Sequence, residues 1–287
     1  MAAPAKPASP APEEAGRLKV YFLPNLMTAG NLFCGFVALT KIVEADAAAS
    51  DLNTTIRHAL FFILLACIFD MLDGRLARWG GHESPFGREF DSLADLISFG
   101  AAPAFLVHRI VLRDVFVRYQ EIGWFIASIY LICGALRLAR FNCMAASAGG
   151  GGGREFLGFP IPAAAGLVAS LTLLLMWWDD RGFNFGRWRY VLPFMLIFLS
   201  IMMISEVKYP SFKSLNLSAQ RPFTKLVAAV LFIGVIIVLR ERVLPLVLPI
   251  LFTAYLLYGF IRPRISRRVR HEIEEEDDEP DDSVQPD

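Results

Sequence analysis

Eight apolar runs, at about 23–43, 57–78, 89–112, 122–146, 160–178, 190–206, 223–239 and 243–261, govern what this chain can fold into. A helix needs roughly 20 apolar residues to cross a hydrocarbon core about 30 Å thick. Inside lipid every backbone amide and carbonyl must find its partner within its own segment, which leaves helices as the spanning element for runs of this length. The expected fold class is therefore all-α: a polytopic transmembrane helical bundle of about eight spans. A hydrophobic content of 55% and a mean hydropathy of +0.47 agree with that reading and argue against an ordinary soluble domain.

The formal net charge of zero averages two unlike regions. His271–Asp287 holds 10 of the 28 acidic residues and no Lys or Arg, so the rest of the chain carries an excess of 10 basic residues. The expected organisation is an Ala- and Pro-rich disordered tail over 1–16, a transmembrane catalytic domain over 17–262, and a basic-then-acidic disordered tail over 263–287. The first sixteen residues lack the long apolar core of a cleavable signal peptide. With both termini inside, the cytoplasmic segments hold 18 of the 28 Lys and Arg residues, which predicts an N-in, C-in orientation. Trp177, Trp178 and Trp188 would then mark an outer interface, and the short Arg240–Arg242 an outer turn. Gly149–Gly153 reads as a flexible linker. Cys34, Cys67, Cys133 and Cys143 show no metal or redox spacing and read as small packing residues. The four histidines show no metal-ligand spacing either, and no nucleic-acid partner is expected.

Four aspartates interrupt this lipid-like pattern. From Asp70 the chain reads DMLDGRLARWGGHESPFGREFDSLAD, a D-x2-D-G-x2-A-R-x8-G-x3-D-x3-D frame ending at Asp95. One carboxylate near the middle of a membrane helix costs roughly 2.5–3.5 kcal/mol, so four unpaired ones would cost about 10 kcal/mol. Asp70 and Asp73 are spaced to share a face of span two, and Asp91 and Asp95 a face of span three. Gly80, Gly81, Pro85 and Gly87 suit a tight turn between them, so the two helices would run antiparallel with four carboxylates converging. Such a cluster can hold two divalent cations about 4 Å apart, the arrangement used for displacement at phosphorus. Gly74 would let a ligand approach the backbone, and Arg78 could pair with a phosphate. Two other readings compete: a salt-bridge cluster with Arg75, Arg78 and Arg88, and an ion or metal pathway in a transporter. The acids sit at one end of the bundle with no comparable charge continuing across it, which disfavours the transporter.

At these residues the chain resembles the CDP-alcohol phosphatidyltransferase family, and every position of that frame is filled. LPNLMTAGNLFCGF (Leu23–Phe36), FDSLADLISFGAAPA (Phe90–Ala104), GALRLARFN (Gly134–Asn142) and FLGFPIPAAAG (Phe156–Gly166) are similar to the membrane-embedded phosphatidylserine synthases of bacteria. The resemblance runs from about residue 20 to 166. It implies transfer of the phosphatidyl group from CDP-diacylglycerol to the hydroxyl of L-serine, with release of CMP. It also implies a homodimer in the bacterial inner membrane, with the active site facing the cytoplasm. Asp70, Asp73, Asp91 and Asp95 would hold two divalent cations, Mg2+ or Mn2+, with Asp95 as general base and Asp91 beside it in catalysis. Gly74, Ala77, Arg78 and Gly87 of the frame would bind CDP. Asn25, Thr28 and Asn31 recur at threefold spacing along span one and could hydrogen-bond the cytidine or its ribose, or pack against neighbouring helices. Arg137, Arg140 and Asn142 form a candidate site for the serine carboxylate or a lipid phosphate, and Ser98 and Gly100 would shape the acceptor pocket. Glycerol 3-phosphate, choline or an inositol phosphate are the alternative acceptors on the same frame.

Overall fold

A computed structural model describes residues 22–45, 52–80, 84–147, 155–182, 190–210 and 244–259. Seven apolar helices make up nearly all of it: α1 (Phe22–Glu44), α2 (Leu52–Gly80), α3 (Pro85–Val115), α4 (Gln120–Ser147), α5 (Ile161–Asp179), α6 (Val191–Ile204) and α7 (Leu244–Gly259). The first five contain stretches long and apolar enough to cross a membrane, and α6 and α7 are shorter apolar helices. The first five coincide with expected spans, while α6 and α7 fall on two further expected spans but are shorter than a full crossing. The run at 223–239, both tails, Gly149–Gly153, Trp188 and Arg240–Arg242 lie outside the described residues.

The packing follows membrane rather than soluble rules. On α1 the buried positions are Thr28, Asn31, Cys34, Gly35, Ala38 and Ile42, a stripe of small and polar residues at helical spacing. Phe22, Leu23, Phe33, Phe36 and Val43 point outward. Between helices in lipid there is little hydrophobic gain, so small residues that allow close backbone approach take the interface. On α2 the matching stripe is Ile56, Ala59, Leu60, Ile63 and Ala66. Asp70 and Asp73 continue that stripe, so the same periodicity that packs α2 turns its acids inward.

The most enclosed of the long helices is α3, far more buried than α1, α2 or α4. Its start differs from the expected turn. Ser84 is the N-cap, its Oγ accepting from the Gly87 amide at 3.0 Å, and Pro85 takes the first helical position. Pro85 and Gly87 therefore belong to the helix and not to the connection before it. Below Asp95 the helix widens into π turns at Leu96–Ala101 and again at His108–Leu112.

Two three-residue strands add to the expected helices. β1 (Glu155–Leu157) pairs antiparallel with β2 (Lys208–Pro210), with Phe156 opposite Tyr209. Gly158 follows with φ +80°, and any side chain there would collide with the Met203 carbonyl. This small ribbon ties the entry of α5 to the exit of α6 through Gly158 N–H to Val207 O at 2.9 Å and Phe159 N–H to Met202 O at 3.0 Å.

Candidate active site

The last turns of α2 and the first turns of α3 meet beneath α1. Asp70, Asp91 and Asp95 each bring a carboxylate oxygen within 4.8 Å of the others. Hard oxygen donors at that spacing suit a divalent cation of the Mg2+ or Mn2+ kind. Asp73 stands outside this group of three. It is buried, and its Oδ2 accepts from Thr28 Oγ1 at 3.0 Å while the Gly74 backbone also bonds its carboxylate.

The polar face of α1 is engaged with the acids themselves. Asn31 is fully buried and its Nδ2 donates to Asp95 Oδ1 at 3.0 Å. Ser98 Oγ, also buried, donates to the Asn31 carbonyl at 2.9 Å, so one residue of α1 is held by α3 at Asp95 and again one turn later. Gly35 makes this approach possible, since a Cβ there would stand 2.7 Å from Ser98 Cα. The π turn that begins directly after Asp95 changes the angular register of α3. Asp91 and Asp95 can then face α2 while Ser98 faces α1. Asn25 lies near the start of α3, where its Oδ1 would be 3.3 Å from a Cβ placed on Gly87.

The arginine pair expected on α4 divides. Arg137 is buried, with Asp95 and Asp70 among the charges it faces. Arg140 points elsewhere: its Nη1 donates to the Ile204 carbonyl at 3.1 Å and caps the end of α6. Asn142 Nδ2 donates to Ser92 Oγ at 2.9 Å and to Glu89 Oε2 at 3.3 Å, which fastens α4 to the outer face of α3. The side chains of Ala77 and Arg78 lie outside the described set. Gly35 carries no charge or polar group, and only its place in the Leu23–Phe36 block could have pointed to it.

Among the described residues neither Arg75 nor Arg88 pairs with the aspartates, and the Arg78 side chain lies outside them. Among the described residues the ion pairs are Lys41–Glu44 and Arg57–Asp180, neither of which touches the four aspartates. Buried side-chain polar atoms without a partner, among the described residues, are Asn25 Nδ2, Asn31 Oδ1, Asp91 Oδ1, Arg137 Nε and Asn142 Oδ1. Asp91, Asn31 and Arg137 lie at or beside the carboxylate cluster, Asn25 stands near the start of α3, and Asn142 joins α4 to α3. An unpaired buried donor or acceptor costs roughly 1–3 kcal/mol, so a cluster of them marks a place where a ligand completes the pairing.

Comparison with known proteins decides the family. The family model for CDP-alcohol phosphatidyltransferase matches residues 21–205. The chain belongs to the CDP-alcohol phosphatidyltransferase family. A Helicobacter pylori protein named CDP-diacylglycerol–serine O-phosphatidyltransferase is 34% identical over 247 residues, covering 85% of this chain and 91% of the relative. A Bacillus subtilis protein of the same name is 32% identical over 192 residues, 67% of this chain and 92% of the relative. The archaetidylserine synthase of Methanothermobacter thermautotrophicus is 33% identical over 190 residues, 66% of this chain and 69% of the relative. The family's reliance on divalent metals fits the three converging carboxylates of Asp70, Asp91 and Asp95.

Proposed function

We propose that this protein transfers the phosphatidyl group of CDP-diacylglycerol to the hydroxyl of L-serine, giving phosphatidylserine and CMP. The observation that carries the reading is the convergence of Asp70, Asp91 and Asp95 in a family whose named relatives perform this transfer. The serine hydroxyl oxygen attacks the phosphorus that bears diacylglycerol. Asp95 takes the hydroxyl proton, the bond from that phosphorus to the bridging oxygen breaks, and CMP leaves with the electron pair. A carboxylate of ordinary basicity is a weak base for an alcohol, so its placement has to be good. The Asn31 amide supplies that placement by fixing one Asp95 oxygen and leaving the other to work.

Asp70, Asp73, Asp91 and Asp95 would hold two divalent cations, Mg2+ or Mn2+, with Thr28 orienting Asp73. Bound there, such ions neutralise the pyrophosphate and the charge developing on CMP. Gly74, Ala77, Arg78 and Gly87 of the frame would bind CDP together with Asn25, whose free Nδ2 suits a base or ribose oxygen. Arg137, whose Nε has no partner, receives the serine carboxylate. The protein works as a homodimer in a bacterial inner membrane, both termini and the aspartates on the cytoplasmic side.

Purified protein given CDP-diacylglycerol, Mg2+ or Mn2+, and one acceptor at a time tests this through CMP release. L-serine should outperform glycerol 3-phosphate, choline and inositol phosphate. A better rate with glycerol 3-phosphate would overturn the acceptor and keep the reaction class. Movement of the metal across reconstituted vesicles without CMP release would favour a transporter.

A further inference from the structure

Just past Asp95, α3 leaves the α-helical pattern. Leu96–Ala101 is a π turn, and the Ala102 amide bonds the Ile97 carbonyl five residues back. Pro103 supplies a reason. In an α-helix the Phe99 carbonyl would accept from the amide of residue 103, but proline has no N–H and its ring crowds that carbonyl. Ser98, Phe99, Gly100 and Pro103 are all buried, where a carbonyl needs a partner from the protein. The donor comes from α4: Tyr130, fully buried, gives its hydroxyl to the Phe99 carbonyl at 3.2 Å. The next residue on each helix seals the contact, since a Cβ on Gly100 would stand 2.9 Å from Leu131 Cδ1.

The same π turn is held by α1. Ser98 Oγ bonds the Asn31 carbonyl at 2.9 Å, and the Asn31 side chain bonds Asp95 Oδ1 at 3.0 Å. Asp95, Asn31 and Ser98 thus close a ring of contacts whose dimensions depend on the angle that α3 turns between residues 95 and 98. A π turn and an α turn set that angle differently. Asn31 holds the ring from one side of α3, and Tyr130 holds the widened backbone from α4.

We propose that Tyr130 is a positioning residue for Asp95: by holding the Phe99 carbonyl, its hydroxyl fixes the π turn that keeps the Asp95 carboxylate on the Asn31 amide. The proposal rests on the reading that Asp95 takes the acceptor proton. It gives α4 a part in the chemistry through a residue that touches neither substrate nor metal.

Steady-state kinetics of CMP release on the full-length protein test it. Tyr130→Phe keeps the ring and removes the donor, and should lower kcat about fivefold with both KM values within about twofold. The effect should disappear in an Asn31→Ala background, because the bond that Tyr130 positions is then gone, so the double variant should match Asn31→Ala within about twofold. Thr172→Val, which removes an equally buried hydroxyl bonded to the Val168 carbonyl on α5, should leave kcat unchanged. An unchanged kcat in Tyr130→Phe overturns the proposal, as do effects of Tyr130→Phe and Asn31→Ala that multiply, or an equal fall in Thr172→Val. A Tyr130→Phe protein that no longer folds also overturns it, making the bond structural. Full turnover in Asp95→Asn would instead overturn the reading on which the proposal rests.

Discussion

Where α2 begins and α5 finishes, Arg57 pairs with Asp180 and the Arg181 guanidinium lies 3.4 Å from the centroid of the Trp177 ring. At the opposite end, where α2 finishes and α3 begins, Asp91, Asn25, Asn31, Arg137 and Asn142 each keep a buried polar atom without a partner. At the first end the Arg57–Asp180 pair is half exposed and matched. At the second, enclosed end Asp91 and Arg137 each keep an unpaired atom. A bundle held together by packing alone would resemble the first end throughout, because each unmatched buried group is destabilising. The contrast supports placing the chemistry at the aspartate end.

Substitutions at the aspartate end should have the largest effects. Asp70→Asn, Asp73→Asn, Asp91→Asn and Asp95→Asn should each lower CMP release at least ~100-fold while the protein still accumulates in the membrane. Chelation of the wild type should do the same, and added Mg2+ or Mn2+ should restore it. Full turnover in all four variants would erase the distinction between the two ends.

Asn31→Ala sharpens the comparison by separating two roles for α1. Loss of the Asn31–Asp95 hydrogen bond should lower kcat about tenfold with little change in the KM for CDP-diacylglycerol. A raised KM for CDP-diacylglycerol at unchanged kcat would return Asn31 to the nucleotide, as its spacing in the sequence first suggested.

The arginines of α4 come next. Arg137→Lys should raise the KM for serine several-fold, since an ammonium cannot offer the bidentate fork. Arg140→Ala should leave that KM in place and lower thermal stability slightly through the lost cap on Ile204. Equal kinetic effects would mean that the pair acts together.

At the other end, Arg57→Ala should change stability by less than about 1 kcal/mol and leave CMP release unaltered, because both partners are well exposed. A marked loss of activity there would show that the far end takes part in the reaction.

The aspartate frame was legible in the sequence for a physical reason. Carboxylates in apolar runs are costly, and spacings of three and four residues fix their faces. What those faces meet was not legible. Thr28 reaches Asp73 and Asn31 reaches Asp95 across 45 and 64 residues of chain, contacts that depend on how α1 crosses α2 and α3. Periodicity put Thr28 and Asn31 on one face but could not say whether that face bonds a ligand or the acids. Arg137 and Arg140 share a helix side by spacing, yet Arg140 is captured by the end of α6, whose position no local pattern announces. Pro85 and Gly87 read as turn residues, whereas Ser84 caps the helix ahead of them. The Gly-containing segment at 155–158 and the stretch at 208–210 carry no strand alternation long enough to reveal their pairing.

The most direct test of the central claim is to follow labelled L-serine into lipid and CMP into solution together, in wild type and in Asp95→Asn. The account predicts phosphatidylserine and CMP formed one for one by the wild type, dependent on added Mg2+ or Mn2+, and neither formed at more than a trace by the variant. CMP released without serine entering lipid, or equal yields from Asp95→Asn, would contradict it.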